Sequence, residues 1–277
     1  MTNMVTTPNA DDSAATLTRD VESRTPFYFI KLGDGAIECV NGYGRGTCDG
    51  ERYSNALADG LTGSLKALGA CGRLYAGDWM TAAFDARTER TRYAAEYADL
   101  MSRVPQAVRL DFAALLLMRE SDELLGFYRA VREDPRRKLL MGPAAWEPLA
   151  RTLKCGFLGL PVMPNLFSIA PQVADELKSR DFDVLLYGAG LAGHVMVTDC
   201  WSVHRGRTYV NIGSALDPAC SRGRTRSQQI APNRARAFLE RLLPRVTPVF
   251  RDWCERGHAK GMRGCMLCEG TVLRRSA

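Results

Sequence analysis

The sequence predicts an α/β protein: a Rossmann-like parallel sheet flanked by helices, followed by a small basic C-terminal tail with a candidate zinc knuckle. Three observations predict it. Short apolar runs of strand character alternate with segments of helical period along most of the chain. Two of those runs, ending at Leu32 and Tyr187, enter glycine-rich turns of the kind found at the carboxyl edge of parallel sheets. Positive charge is concentrated after residue 220, where thirteen Lys/Arg face four Asp/Glu, a balance of +9 within an overall +6. The preceding residues therefore carry −3, and the basic character belongs to the tail.

With 277 residues, 46% of them hydrophobic and 25% charged, the chain buries a full core, which excludes a disordered protein. No apolar run reaches the length of a bilayer span, and the polar start lacks the apolar core of a secretory signal, so a cytoplasmic protein is expected. The cysteines number nine, an odd count, and Cys39, Cys71, Cys155 and Cys200 lie in apolar segments, as reduced core thiols do.

The organisation divides into three parts: residues 1–25, a flexible arm rich in Thr, Asp, Ser and Asn; residues 26–220, the Rossmann-like body; and residues 221–277, a basic helix with a Cys/His knuckle. The body opens with the aromatic strand Phe27-Tyr28-Phe29-Ile30-Lys31-Leu32 and the turn Gly33-Asp34-Gly35. Residues 41–53 hold four glycines and form a loop. Ser54 caps a helix to residue 68, with Leu57, Leu61, Leu65 and Leu68 on one face. Strands are expected at 73–76, 113–118, 138–141, 159–163 and 182–187, and helices at 88–101, 121–133, 145–153 and 171–180. A final strand holds Tyr209-Val210-Asn211-Ile212-Gly213.

The first turn is where chemistry is expected. A carboxylate between two glycines at a strand end lets main chain approach a ligand at Gly33 and Gly35 while Asp34 meets a metal ion or a hydroxyl. Its alternative is a turn aspartate bonded to its own backbone. The second turn, Gly188-Ala189-Gly190-Leu191-Ala192-Gly193, satisfies Gly-x-Gly-x-x-Gly between a strand and a helix, so amides at the helix start are expected to face a phosphate. Its alternative is a glycine turn that packs helix on strand. A dinucleotide is disfavoured, because the next strand ends in Asn211 where a ribose-binding acid belongs. On a shared rim, the second turn would hold a nucleotide diphosphate and the first would supply the carboxylate, with a divalent cation (Mn or Mg) neutralising the pyrophosphate.

Lys31 is a candidate partner of donor phosphates or a half-exposed strand lysine. His194, in the first turn of a helix, is expected neutral, either hydrogen-bonding a ligand or packing. Asp78 and Asp217 are alternative general bases for an acceptor hydroxyl. Trp79, Trp146 and Trp201 either stack on a base or sugar or belong to the core. In the tail, Cys254 and His258 at C-x3-H spacing and Cys265 and Cys268 at C-x2-C spacing match a closed structural zinc site, the alternative being unliganded or redox-active thiols. A zinc knuckle would display Arg256, Lys260 and Arg263 to a polyanion such as nucleic acid.

In the order of its parts, residues 27–218 resemble the GT-D-type glycosyltransferases: Gly33-Asp34-Gly35, then Cys48-Asp49-Gly50 with Tyr53, then Leu185, Tyr187 and Gly188 before a helix, then Tyr209 through Asp217. The resemblance implies a divalent metal, held by an Asp-x-Glu motif, and a UDP-sugar donor. Asp34 matches the aspartate; Ala36 stands where the glutamate belongs, with Glu38 and Asp49 as possible substitutes. The implied activity is transfer of a sugar from a nucleotide-sugar to a hydroxyl acceptor, which includes glycans, proteins and hydroxylated DNA bases. The competing expectation is a non-catalytic nucleic-acid-binding protein that works through its Cys/His tail.

Overall fold

The computed structural model describes residues 7–43, 46, 51–81, 93–116, 121–161 and 163–216. Its centre is a seven-stranded, all-parallel sheet: β1 (Tyr28–Lys31), β2 (Leu74–Asp78), β3 (Val108–Asp111), β4 (Lys138–Pro143), β5 (Gly156–Leu160), β6 (Val184–Tyr187) and β7 (Thr208–Asn211), in the order β3-β2-β1-β7-β6-β4-β5. Eight α-helices are described: α1 (Ala10–Glu22), α2 (Asp34–Val40), α3 (Asn55–Leu68), α4 (Ala94–Ser102), α5 (Asp122–Glu133), α6 (Glu147–Thr152), α7 (Ala170–Ser179) and α8 (Gly190–Val203).

The central strands β1, β6 and β7 are buried on both faces, as parallel strands covered by crossover helices are, while the edge strands β3 and β5 are partly exposed. Side-chain alternation divides the core in two. Tyr28, Ile30, Leu74, Ala76, Leu185, Tyr187 and Tyr209 pack towards α3, α7 and α8, while Phe29, Tyr75, Leu110, Leu186 and Val210 pack towards α1, α5 and α6. Trp79, Trp146 and Trp201 are buried in these layers, so the core reading of the tryptophans is the one observed. Cys39, Cys71 and Cys200 are buried free thiols and Cys155 is half-buried.

Three expectations change. The polar segment read as a flexible arm contains α1: Asn9 caps it by accepting the amides of Asp11 and Asp12, and Ala14, Leu17 and Val21 bury one face. Buried Asp20 then accepts from Arg73 at 2.6 and 2.8 Å and from the Tyr75 hydroxyl at 2.8 Å, which locks α1 to β2. The strand expected at 113–118 falls instead on Val108–Asp111, where a charged, half-exposed edge disguises it. The turn expected at Gly33-Asp34-Gly35 is instead the start of α2, with Gly33 as its cap residue and Asp34 as its first helical residue. Among the described residues, no helix is long and apolar enough to cross a membrane.

Candidate active site at the carboxyl edge of the sheet

Strand polarity puts Lys31, Asp78, Asp111, Tyr187 and Asn211 on one rim, at the carboxyl ends of β1, β2, β3, β6 and β7. Register fixes their order, since Lys31 lies opposite Gly77, Asp78 opposite Asp111, and Tyr187 opposite Asn211. The chain runs outward from β1 to β2 and β3, crosses the sheet to β4 and β5, and returns inward through β6 to β7, so the first and last described strands lie side by side in the middle of the sheet. The crevice between β1 and β7 is thus central on the carboxyl edge, the edge at which open α/β sheets take their ligands.

Lys31 fills that crevice. It is 7% exposed, and its stem passes over Gly77, where a Cβ would come within 3.3 Å of the lysine Cγ. Its ammonium lies 4.5 Å from the centre of the Phe112 ring, and a Cβ on Gly213 would stand 3.5 Å from Nζ. Two glycines on neighbouring strands therefore make the notch through which the side chain runs. Burial lowers the Lys31 pKa to about 7, and the charge of Asp111 only partly opposes that fall.

Asp34, half-buried, accepts the amide of Gly35 at 2.9 Å from the start of α2. Glu38 stands one helical turn further on the same face. Its two carboxylate oxygens accept from the Tyr93 hydroxyl at 2.7 Å and the Tyr53 hydroxyl at 3.3 Å, which makes it an anchor for two flanking segments. Tyr53 entered the sequence reading only as a part of the resemblance, and Tyr93 not at all. Asp78 accepts the Thr7 hydroxyl at 2.9 Å and the Met80 amide at 3.1 Å, and Asp111 accepts the Ala113 amide at 2.7 Å.

The two glycine turns do share this rim, separated only by β7. Their link is direct: His194 Nε2 lies 3.0 Å from the main-chain carbonyl of Lys31. The imidazole is 3% exposed, with burial lowering its pKa to about 4, so it stays neutral and faces the core between α8 and β1. Asn211 Nδ2 lies 3.1 Å from the same nitrogen.

At the second turn the expected phosphate site has a resident anion. The carboxylate of Glu51, 5% exposed, accepts the amides of Leu191 at 3.2 Å and Ala192 at 3.4 Å. The glycines of the motif have packing reasons. A Cβ on Gly188 would stand 2.2 Å from the Gly213 carbonyl oxygen and 2.3 Å from the Trp146 ring, and one on Gly193 2.8 Å from Ala189 Cβ. Gly190 takes a left-handed φ of +56° with Glu51 directly beside it. Sequence reasoning missed Glu51 because its loop is glycine-rich and aperiodic; the only signal was a second acid after Asp49, four residues before the start of α3.

Comparison with known proteins now has a geometry to stand on. Two solved structures are similar, each with a TM-score of 0.50 and 13% sequence identity. One is a selenomethionine-substituted structure of domain of unknown function 1792, matched over 75% of this chain and 83% of that one. The other, matched over 74% and 82%, is described as that domain's distinct glycosyltransferase fold. The chain shares the fold of domain of unknown function 1792. No protein-family model and no curated protein matches it.

Of the residues that the glycosyltransferase resemblance ties to a divalent cation, Asp34 and Glu38 are described and Asp49 is not. Ala36, in the place of the glutamate, is completely buried, and the Glu38 oxygens are both engaged by tyrosine hydroxyls. Among the described residues, no group of three or more His, Cys, Asp or Glu side chains is placed to hold a metal ion. Asp49 and Asp217 lie outside the described residues, as do the candidate zinc ligands Cys254, His258, Cys265 and Cys268.

Proposed function

We propose that the protein is a glycosyltransferase that binds a nucleotide-sugar at the crevice between β1 and β7 and transfers the sugar to a hydroxyl acceptor. The observation that carries this reading is the placement of Lys31 and Asp34, a cation and a carboxylate, at the carboxyl rim of a fold shared with a domain described as a glycosyltransferase fold. The diphosphate lies against Lys31, and the main chain at Gly33 and Gly35 allows the donor to approach the end of β1. Asp34 faces the sugar and the incoming hydroxyl, from which it removes the proton as the new bond forms. Glu38 holds α2 in place through Tyr53 and Tyr93 rather than touching substrate. A UDP-sugar is the first donor to test, and glycans, proteins and hydroxylated DNA bases are the acceptor classes.

The test is donor hydrolysis. The pure protein is incubated with UDP-, GDP- and TDP-sugars, with and without manganese, and released nucleotide is measured. Release that Asp34→Ala lowers at least about 100-fold supports the reading. No release from any donor, together with DNA binding that weakens steeply as salt rises, supports instead a nucleic-acid-binding protein acting through its basic tail.

A further inference from the structure

Lys31 and Lys138 are two buried lysines of one sheet, and the contrast between them is informative. Lys138, at the opposite edge, directs its ammonium to the carbonyl oxygens of Arg132 and Asp134. Lys31 is as deeply buried, yet among the described residues its ammonium has no hydrogen-bond or ion-pair partner; it rests over the face of Phe112 beside Gly213, and Asp111 acts on it only through space. Burying a cation without an anion or a ring of carbonyls is unfavourable, and chains seldom retain such an arrangement unless a ligand completes it. The same rim has lost the second carboxylate of the Asp-x-Glu pattern, because Ala36 is packed in the core. Among the described residues, one positive charge is built in where no group of three metal-ligating side chains gathers.

We propose that Lys31 is the resident cation of the donor site, its ammonium binding the diphosphate in the place of a divalent metal ion, so that donor binding and sugar transfer proceed without added metal. This rests on the glycosyltransferase reading above. In the transfer step the bond between the sugar's anomeric carbon and the phosphate oxygen breaks as the acceptor oxygen bonds to that carbon. The electron pair stays with the departing nucleoside diphosphate, and the acceptor's proton passes to Asp34 and then to water. Negative charge grows on the phosphate oxygen beside Lys31, which a fixed ammonium in a site shielded from water stabilises. Burial leaves this lysine partly uncharged near neutral pH when the site is empty, and a bound diphosphate draws the proton on. The notch formed by Gly77 and Gly213 then has a purpose, since it lets the ammonium reach the crevice from the strand.

Calorimetric titration of UDP, GDP and TDP into the full-length protein, in EDTA and again with manganese, tests the proposal. The expected result is that at least one nucleotide binds in EDTA, with an affinity that manganese changes less than about threefold. Lys31→Met is expected to weaken that binding roughly 10- to 100-fold in both buffers, and Lys31→Arg to restore most of it. Binding by the wild-type protein that EDTA abolishes and manganese restores overturns the proposal while leaving the glycosyltransferase reading intact. So does unchanged binding by a folded Lys31→Met protein. Failure of all three nucleotides in both buffers overturns the donor-site reading itself. The EDTA comparison on the wild-type chain needs no variant to fold.

Discussion

Glu51 accepts the main-chain amide of Leu191 at 3.2 Å, so the anion at the start of α8 is one that the chain itself supplies. The same short segment is fastened on two other sides. Arg52 donates its amide to the Pro164 carbonyl, and Tyr53 donates its hydroxyl to Glu38. Helices α2 and α8, which flank the crevice, are thereby joined by three consecutive residues. Glu51→Ala removes the acceptor for two amides at a buried helix start and is expected to destabilise the protein by about 1–2 kcal/mol, whereas Glu51→Gln keeps an acceptor oxygen and loses less. Urea denaturation of the two variants beside the wild type measures the difference.

The second turn is held by contact, which makes Gly188 intolerant of any side chain. Gly188→Ala forces a methyl group against the Gly213 carbonyl and the Trp146 ring, neither of which is the free end of a flexible side chain. A loss of about 2–3 kcal/mol is expected, read as a lower urea midpoint. An alanine variant as stable as the wild type contradicts the packing explanation.

Removing the crevice lysine is expected to strengthen the fold as it weakens binding. In the unfolded chain Lys31 has the ordinary lysine pKa of 10.5, and in the folded chain about 7. Between those values the unfolded state holds a proton that the native state does not, so wild-type stability rises with pH across this window. The penalty for burying the ammonium is therefore full below pH 7 and fades as pH climbs towards 10.5. Lys31→Met should be more stable than wild type by about 1–3 kcal/mol at pH 6, with the advantage shrinking by pH 9. Thermal melts of both proteins over that range check it.

Donor affinity carries the opposite signature. A diphosphate favours the protonated lysine, so nucleotide-sugar binding is expected to be strongest below pH 7 and to weaken towards a limit of tenfold per pH unit above it. The charged and titratable groups around Lys31 are Asp111 beyond β2, which favours the ammonium, and His194 against its carbonyl, whose pKa of about 4 keeps it silent in this window. Lys31→Arg remains protonated throughout and should give a flat profile between pH 6 and 9 in the same calorimetric titration.

Much of the fold was legible because its signals are local. Ser54 and Ser121 cap the helices that follow them, Leu57, Leu61, Leu65 and Leu68 lie on one buried face, and the apolar runs at β1, β4 and β6 are strands. Where those signals were diluted, reading failed. In α1 the spacing of Ala14, Leu17 and Val21 is helical, but threonines and aspartates around it conceal the buried stripe. At β3 the apolar run that follows the strand was mistaken for the strand itself. The two glycine turns, Lys31 and Asp34, which the sequence offers for the candidate site, lie on one rim of the sheet. The site was not legible in Glu51, Tyr93 and Phe112, whose roles arise from pairings between distant parts of the chain. A glycine pattern alone does not distinguish a turn shaped for phosphate from one shaped for a neighbouring carbonyl and an indole, as Gly188 illustrates.

The position of β7 governs when the protein becomes competent during synthesis. This last described strand is inserted between β1 and β6, so until it emerges from the ribosome the nascent chain holds two unjoined half-sheets with open inner borders. Truncation before residue 208 would leave the first strand without its neighbour and Lys31 without the opposite wall of its crevice.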